Sequence, residues 1–98
     1  MNLKPQVTRG VRKDISQAKY NELRYFCLQY DEKKGDPSRT HEMELIEETA
    51  LAANDAIYRY ILKNVTQGIK YEHMDVPCGR RQFYEARKLF FRMLSLKR

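Results

Sequence analysis

The sequence is poor in the residues that mark several protein classes. It has no tryptophan and only two cysteines, Cys27 and Cys78, too few for a disulfide framework. No Cys-x-x-Cys or His-x-x-x-His pair occurs, so the spacing of a structural zinc site is missing and no metal is expected. Four glycines and three prolines are few for a turn-rich β-sandwich. No apolar run approaches the roughly 20 residues of a membrane span. The opening segment MNLKPQVTRG lacks the apolar stretch of a signal peptide. A cytoplasmic location without a membrane partner is therefore expected. Phosphate loop, nucleophile elbow and paired-carboxylate patterns are also missing, so the reading is of a protein that is not an enzyme and uses no cofactor. Ninety-eight residues allow one domain and exclude a dinucleotide-binding sheet, an α/β barrel or a kinase fold.

What the sequence does have is charge, unevenly placed. Charged residues make up 33% and the net charge is +6. Residues 80–98 hold seven bases and one acid, and residues 1–24 hold six bases and two acids. Residues 31–58 hold eight acids and three bases. Basic ends around an acidic middle favour a polyanionic partner such as nucleic acid.

The periodicity is helical throughout, and the expected fold is all-α: a long antiparallel helical hairpin followed by a helix-turn-helix. Residues 1–13 read as a basic arm. Tyr20, Leu23, Phe26, Cys27 and Tyr30 recur at spacings of three and four within a helix expected over 14–34, capped by Asp14. Gly35-Asp36-Pro37-Ser38 breaks the chain, with Asp36 as cap and Pro37 in the first turn. One long helix is expected over 36–65 on the stripe Met43, Ile46, Ala50, Ala53, Ile57, Ile61 and Val65. Its early turns carry Glu42, Glu44, Glu47 and Glu48, which suit the positive end of the helix dipole.

Residues 69–98 carry the functional pattern. A short helix near residues 69–74, the turn Asp75-Val76-Pro77-Cys78-Gly79 and a basic amphipathic helix beginning near Gly79 or Arg80 give the layout of a helix-turn-helix. Phe83, Ala86, Phe90, Met93 and Leu94 mark the buried face of the last helix. In that motif the first two turns of the second helix face base edges in the major groove. The candidate DNA-binding residues are therefore Arg80, Arg81, Gln82, Tyr84, Glu85 and Lys88, with Arg92 meeting the phosphate backbone. Arginine pairs with guanine, glutamine with adenine, and glutamate accepts from cytosine.

The run VPCGRRQFYEARKLFFRMLS (Val76 to Ser95) resembles the carboxyl-terminal segment of small prophage and mobile-element proteins of the RinA/ArpU type. That segment is similar to the promoter-reading region of bacterial sigma factors. The resemblance rests on the turn Pro77-Cys78-Gly79 and the aromatic pair Phe83-Tyr84. It implies a transcriptional regulator, with Phe83 packed inward, Tyr84 reaching a phosphate and Gly79 at a cap position. Double-stranded DNA is the implied partner. RNA polymerase and a second copy of the chain, as a homodimer, are the protein partners that this reading brings in. The alternative is a helical protein-interaction module or a phage packaging and assembly adaptor, without base-specific contacts.

Overall fold

The computed structural model describes residues 15–98, so the basic arm expected over 1–13 and the Asp14 cap lie outside the described residues. Within them the regular structure is entirely helical. Helix α1 (Gln17–Leu28) starts from Ser16, whose extended backbone and side chain form the cap. The Ser16 hydroxyl accepts from the Lys19 amide at 3.0 Å, which satisfies one of the free donors of the first turn. Leu23, Phe26 and Cys27 form its buried face.

The helix expected over 14–34 is interrupted at Gln29 (φ −85, ψ 6), and a single turn, α2 (Tyr30–Lys33), follows. The side chain of Lys33 is fully buried. Its ammonium donates to the Phe26 carbonyl at 3.0 Å, lies 4.3 Å from the centre of the Phe26 ring and pairs with Glu42 at 3.6 Å. Burial, followed by the nearby Arg39 charge, pulls its pKa below the ordinary lysine value, against the pull of Glu42.

Asp36 caps a 3-10 turn over Pro37–Arg39 and accepts from the Ser38 amide at 3.0 Å. Helix α3 (Thr40–Ala53) continues from that turn. The long helix expected over 36–65 does not continue past it. Asn54 adopts an extended backbone (φ −167, ψ 104), and its side-chain oxygen accepts from the amides of Ala56 at 2.9 Å and Ile57 at 3.3 Å. A short polar side chain that bonds its own backbone competes with the helical ladder. Helix α4 (Tyr58–Gln67) starts afresh and ends at Gly68, whose left-handed backbone (φ 72) suits glycine. Its amide donates to the Asn64 carbonyl at 3.0 Å.

The segment after Gly68 holds one 3-10 turn, Tyr71–His73, instead of the short helix expected near 69–74. Helix α5 (Arg80–Lys97) then supplies Phe83, Ala86, Phe90, Phe91 and Leu94 to the core. α3 packs chiefly against α5 and α4, while α1 packs against the same two helices. Of the two segments expected over 14–34 and 36–65, the first meets the second through α1 on α4 and α2 on α3, and α5 packs against both. Arg87 ties three elements together. It donates to Asn64 Oδ1 of α4 at 2.6 Å and to the Tyr20 hydroxyl of α1 at 3.1 Å, and lies 4.9 Å from the centre of the Phe91 ring.

Candidate nucleic-acid interface

The candidate interface is the outer side of α5, fixed by what lies on the inner side. At 3.6 residues per turn, burial of Phe83, Ala86, Phe90 and Leu94 turns Arg81, Gln82, Glu85 and Lys88 outward, and all four are exposed. Arg81 is the freest, with its side chain 91% accessible, and it pairs along the helix with Glu85 at 3.4 Å. Lys88 makes no ion pair among the described residues. The helix begins at Gly79, whose backbone is extended (φ −68, ψ 158) and which offers no side-chain cap.

Arg80 is placed differently. Its guanidinium pairs with Glu72 at 3.2 Å and stands 5.2 Å and 5.8 Å from the ring centres of Tyr84 and Tyr71. Tyr84 is half-buried, edge-on to Phe83 at 5.1 Å. Its ring belongs to the packing under Arg80. The Tyr71 hydroxyl donates to the Cys78 carbonyl at 2.7 Å and so pins the connecting segment to the start of α5. Arg92 is half-buried. Further along, Lys97 reaches Thr49 at 3.5 Å. Arg98 pairs with Glu22 at 2.6 Å and stacks 3.8 Å from the centre of the Phe26 ring.

The structure therefore keeps Arg81, Gln82, Glu85 and Lys88 on one exposed side, ties Arg80 to a neighbouring segment and half-buries Tyr84 and Arg92. The acids of α3 leave that side alone. Glu42 is taken up by Lys33 and Arg39, and Glu47 accepts from the Tyr30 hydroxyl. That bond, followed by burial, pushes the Tyr30 pKa up to about 12. Glu44 and Glu48 are exposed. No ion pair among the described residues joins Glu42–Glu48 to Arg80, Arg81 or Lys88.

Two residues that matter here, Glu72 and Arg87, escaped the sequence reading. Glu72 and Arg80 come from segments of different geometry, and no periodicity connects them. Arg87 had a signal: it lies four residues from both Phe83 and Phe91, which places it on the inner side of α5. Beside the exposed face, an open cleft of about 650 Å³ runs between the α3–α4 turn and α5, with Ala56, Ile57, Pro77 and Leu89 among its walls. The two cysteines do not meet: Cys27 is buried in the core and Cys78 is half-buried before α5. No protein-family model, curated protein or solved structure matches the chain.

Proposed function

We propose that this chain is a sequence-specific double-stranded DNA-binding protein and a transcriptional regulator of phage or mobile-element type, with α5 as the recognition helix. The observation that carries the reading is the division of α5 into a core face and an exposed Arg81-Gln82-Glu85-Lys88 face that the acidic middle does not neutralise. A helix of this width fits the major groove. Arg81 and Gln82 are the base readers, Lys88 takes a phosphate, and Glu85 accepts from cytosine or orients Arg81. Arg80 supplies phosphate contact at the rim. Phosphate contacts give affinity and register, whereas base contacts give sequence information. Residues 69–98 act as the helix-turn-helix, with the 3-10 turn Tyr71–His73 in place of its short first helix. A homodimer would present two recognition helices about 34 Å apart, one helical turn of DNA. Exposed Glu44 and Glu48 are the α3 acids left for a basic surface of RNA polymerase.

Selection of bound duplexes from a random pool, followed by mobility shifts between about 50 and 200 mM salt, tests the reading. A single enriched motif is expected, and Arg81→Ala should relax one base position at a cost of roughly 1–3 kcal/mol. Retention of no duplex at the lowest salt would sink it. The protein-interaction reading draws on the cleft beside α5, where Leu89 stands among mixed polar and apolar walls, and on Leu96, which is 83% exposed. Under that reading Leu89→Glu abolishes partner capture, and Arg81→Ala has no effect on it.

A further inference from the structure

Seven bases lie between residues 80 and 98, yet the structure engages several of them internally. Arg80 is the case that bears on binding. It is the first residue of α5 and flanks the exposed face, and its guanidinium is held from three sides. Glu72 approaches to 3.2 Å, and the Tyr71 and Tyr84 rings flank it. The contrast with Arg81 is structural. Glu85 lies on the same helix as Arg81 and moves with it, whereas Glu72 arrives from the preceding 3-10 turn. That turn is itself anchored, because the Tyr71 hydroxyl bonds the Cys78 carbonyl at 2.7 Å.

We infer that Glu72 is a built-in anionic competitor for Arg80, occupying the place of a DNA phosphate and holding down sequence-independent binding. This rests on the DNA-binding reading and adds the regulation of the same face. A carboxylate and a phosphate oxygen offer the same acceptor chemistry to a guanidinium. Both Arg80 and Glu72 are more than half exposed, at 59% and 52%, so a phosphate can exchange for the carboxylate without opening the core. The carboxylate is ready to compete: its own backbone amide, and after it Arg80, hold its pKa below the usual glutamate value. Phosphate attraction is common to every sequence, while base contacts are made only at the correct site. A competitor for one phosphate-binding arginine therefore lowers the affinity for every duplex by the same factor, and only duplexes with the base contacts stay tightly bound. Glu72 in this sense sets the level of sequence-independent binding without touching a base.

The test measures binding of a fluorescein-labelled random-sequence duplex by anisotropy over a salt series. It compares the unaltered chain with Glu72→Gln, Glu44→Gln and the double variant Glu72→Gln/Arg80→Ala. Glu44 is an exposed acid of α3 and controls for the change in net charge. Release of Arg80 to one further phosphate should steepen the log–log salt slope by about 0.9. Near 0.1 M salt this is roughly an eightfold gain in affinity. Glu44→Gln should leave the slope unchanged, and Arg80→Ala should erase the gain. Thermal melts followed by circular dichroism check that Glu72→Gln keeps the fold, as expected for an exposed pair. An equal slope in the unaltered chain and Glu72→Gln overturns the competitor while leaving DNA binding intact. The same gain from Glu44→Gln overturns it as well. Binding by Glu72→Gln alone supports it strongly, and binding by no variant overturns both the competitor and the DNA-binding reading.

Discussion

Replacing Arg87 with methionine should cost more than any substitution on the exposed face of α5. The guanidinium makes two hydrogen bonds, to Asn64 Oδ1 at 2.6 Å and to the Tyr20 hydroxyl at 3.1 Å. Hydrogen bonds from charged groups contribute about 1.5–3 kcal/mol when buried. Arg87 is only half-buried, so about 1 kcal/mol each is the better figure. The Phe91 ring centre at 4.9 Å adds about 1 kcal/mol of cation–π attraction. The loss is then about 3 kcal/mol, and methionine keeps the apolar stem in place so that packing is largely conserved. In a domain of this size that is a fall in melting temperature of roughly 12–24 °C. Thermal melts followed by circular dichroism measure that fall, and urea denaturation measures the free-energy loss. Arg87→Lys should recover roughly a third, since an ammonium keeps the charge but lacks the planar fork. The sharper readout is a double-mutant cycle with Asn64→Ala, for which a coupling of about 1 kcal/mol is expected. A total loss below about 1 kcal/mol, or no coupling with Asn64, would refute the reasoning.

Gly79→Ser should stabilise the fold by about 0.5 kcal/mol, because the backbone there suits any residue, a Cβ meets nothing within 4 Å, and serine supplies the missing cap; an unchanged urea midpoint would count against the cap. Gly68→Ala should destabilise by about 1 kcal/mol, since its φ of +72 is costly for residues with a Cβ; the same titration shows it. Burial pushes the Cys27 thiol up to about 12 from an ordinary value of 9.0, and the folded state therefore holds its proton longer than the unfolded chain. Stability from this group is fully present below pH 9 and is lost as pH rises from there towards 12. Urea midpoints taken at pH 8 and at about pH 10.5 should converge between the unaltered chain and Cys27→Ala as pH rises; parallel pH profiles would contradict this.

The helical class and much of the core were legible because side-chain periodicity reports burial directly. The start of α5, expected near Gly79 or Arg80, falls at Arg80, and its inner residues Phe83, Ala86, Phe90 and Leu94 are buried as expected; Phe91 is buried and Met93 only half so. Of the expected stripe, Ile46, Ala50, Ile57, Ile61 and Val65 are buried, whereas Met43 and Ala53 are only half-buried. It was misleading about continuity, however. The residues on either side of Asn54 keep the same helical phase, so periodicity cannot register the break. The side-chain bonds of Asn54 do register in the sequence, as the Asn54-Asp55 pair, a turn signal that the apolar stripe overrode. The break at Gln29 had no comparable signal, because its partner, buried Lys33, looks like an ordinary helix-end cation until it is seen against Phe26 and Glu42. The candidate interface was legible in outline, since exposed positions follow from the buried ones. The engagement of Arg80 by Glu72, and the half-burial of Tyr84 and Arg92, depend on where non-helical segments return, and that is a tertiary matter.

The two-sided character of α5 has a thermodynamic consequence. This one helix contributes five of the thirteen buried apolar side chains among the described residues, so it cannot unfold locally while the rest of the core persists. A ligand that engages only its outer face is then linked to the folding equilibrium of the whole domain. At a concentration about a hundred times its dissociation constant, such a ligand raises global stability by about 2.7 kcal/mol. Occupancy of four surface side chains would be felt by the amides of α1 and α3, which the ligand never touches. Slowed hydrogen exchange at those distant amides would report binding as faithfully as any change at the interface itself.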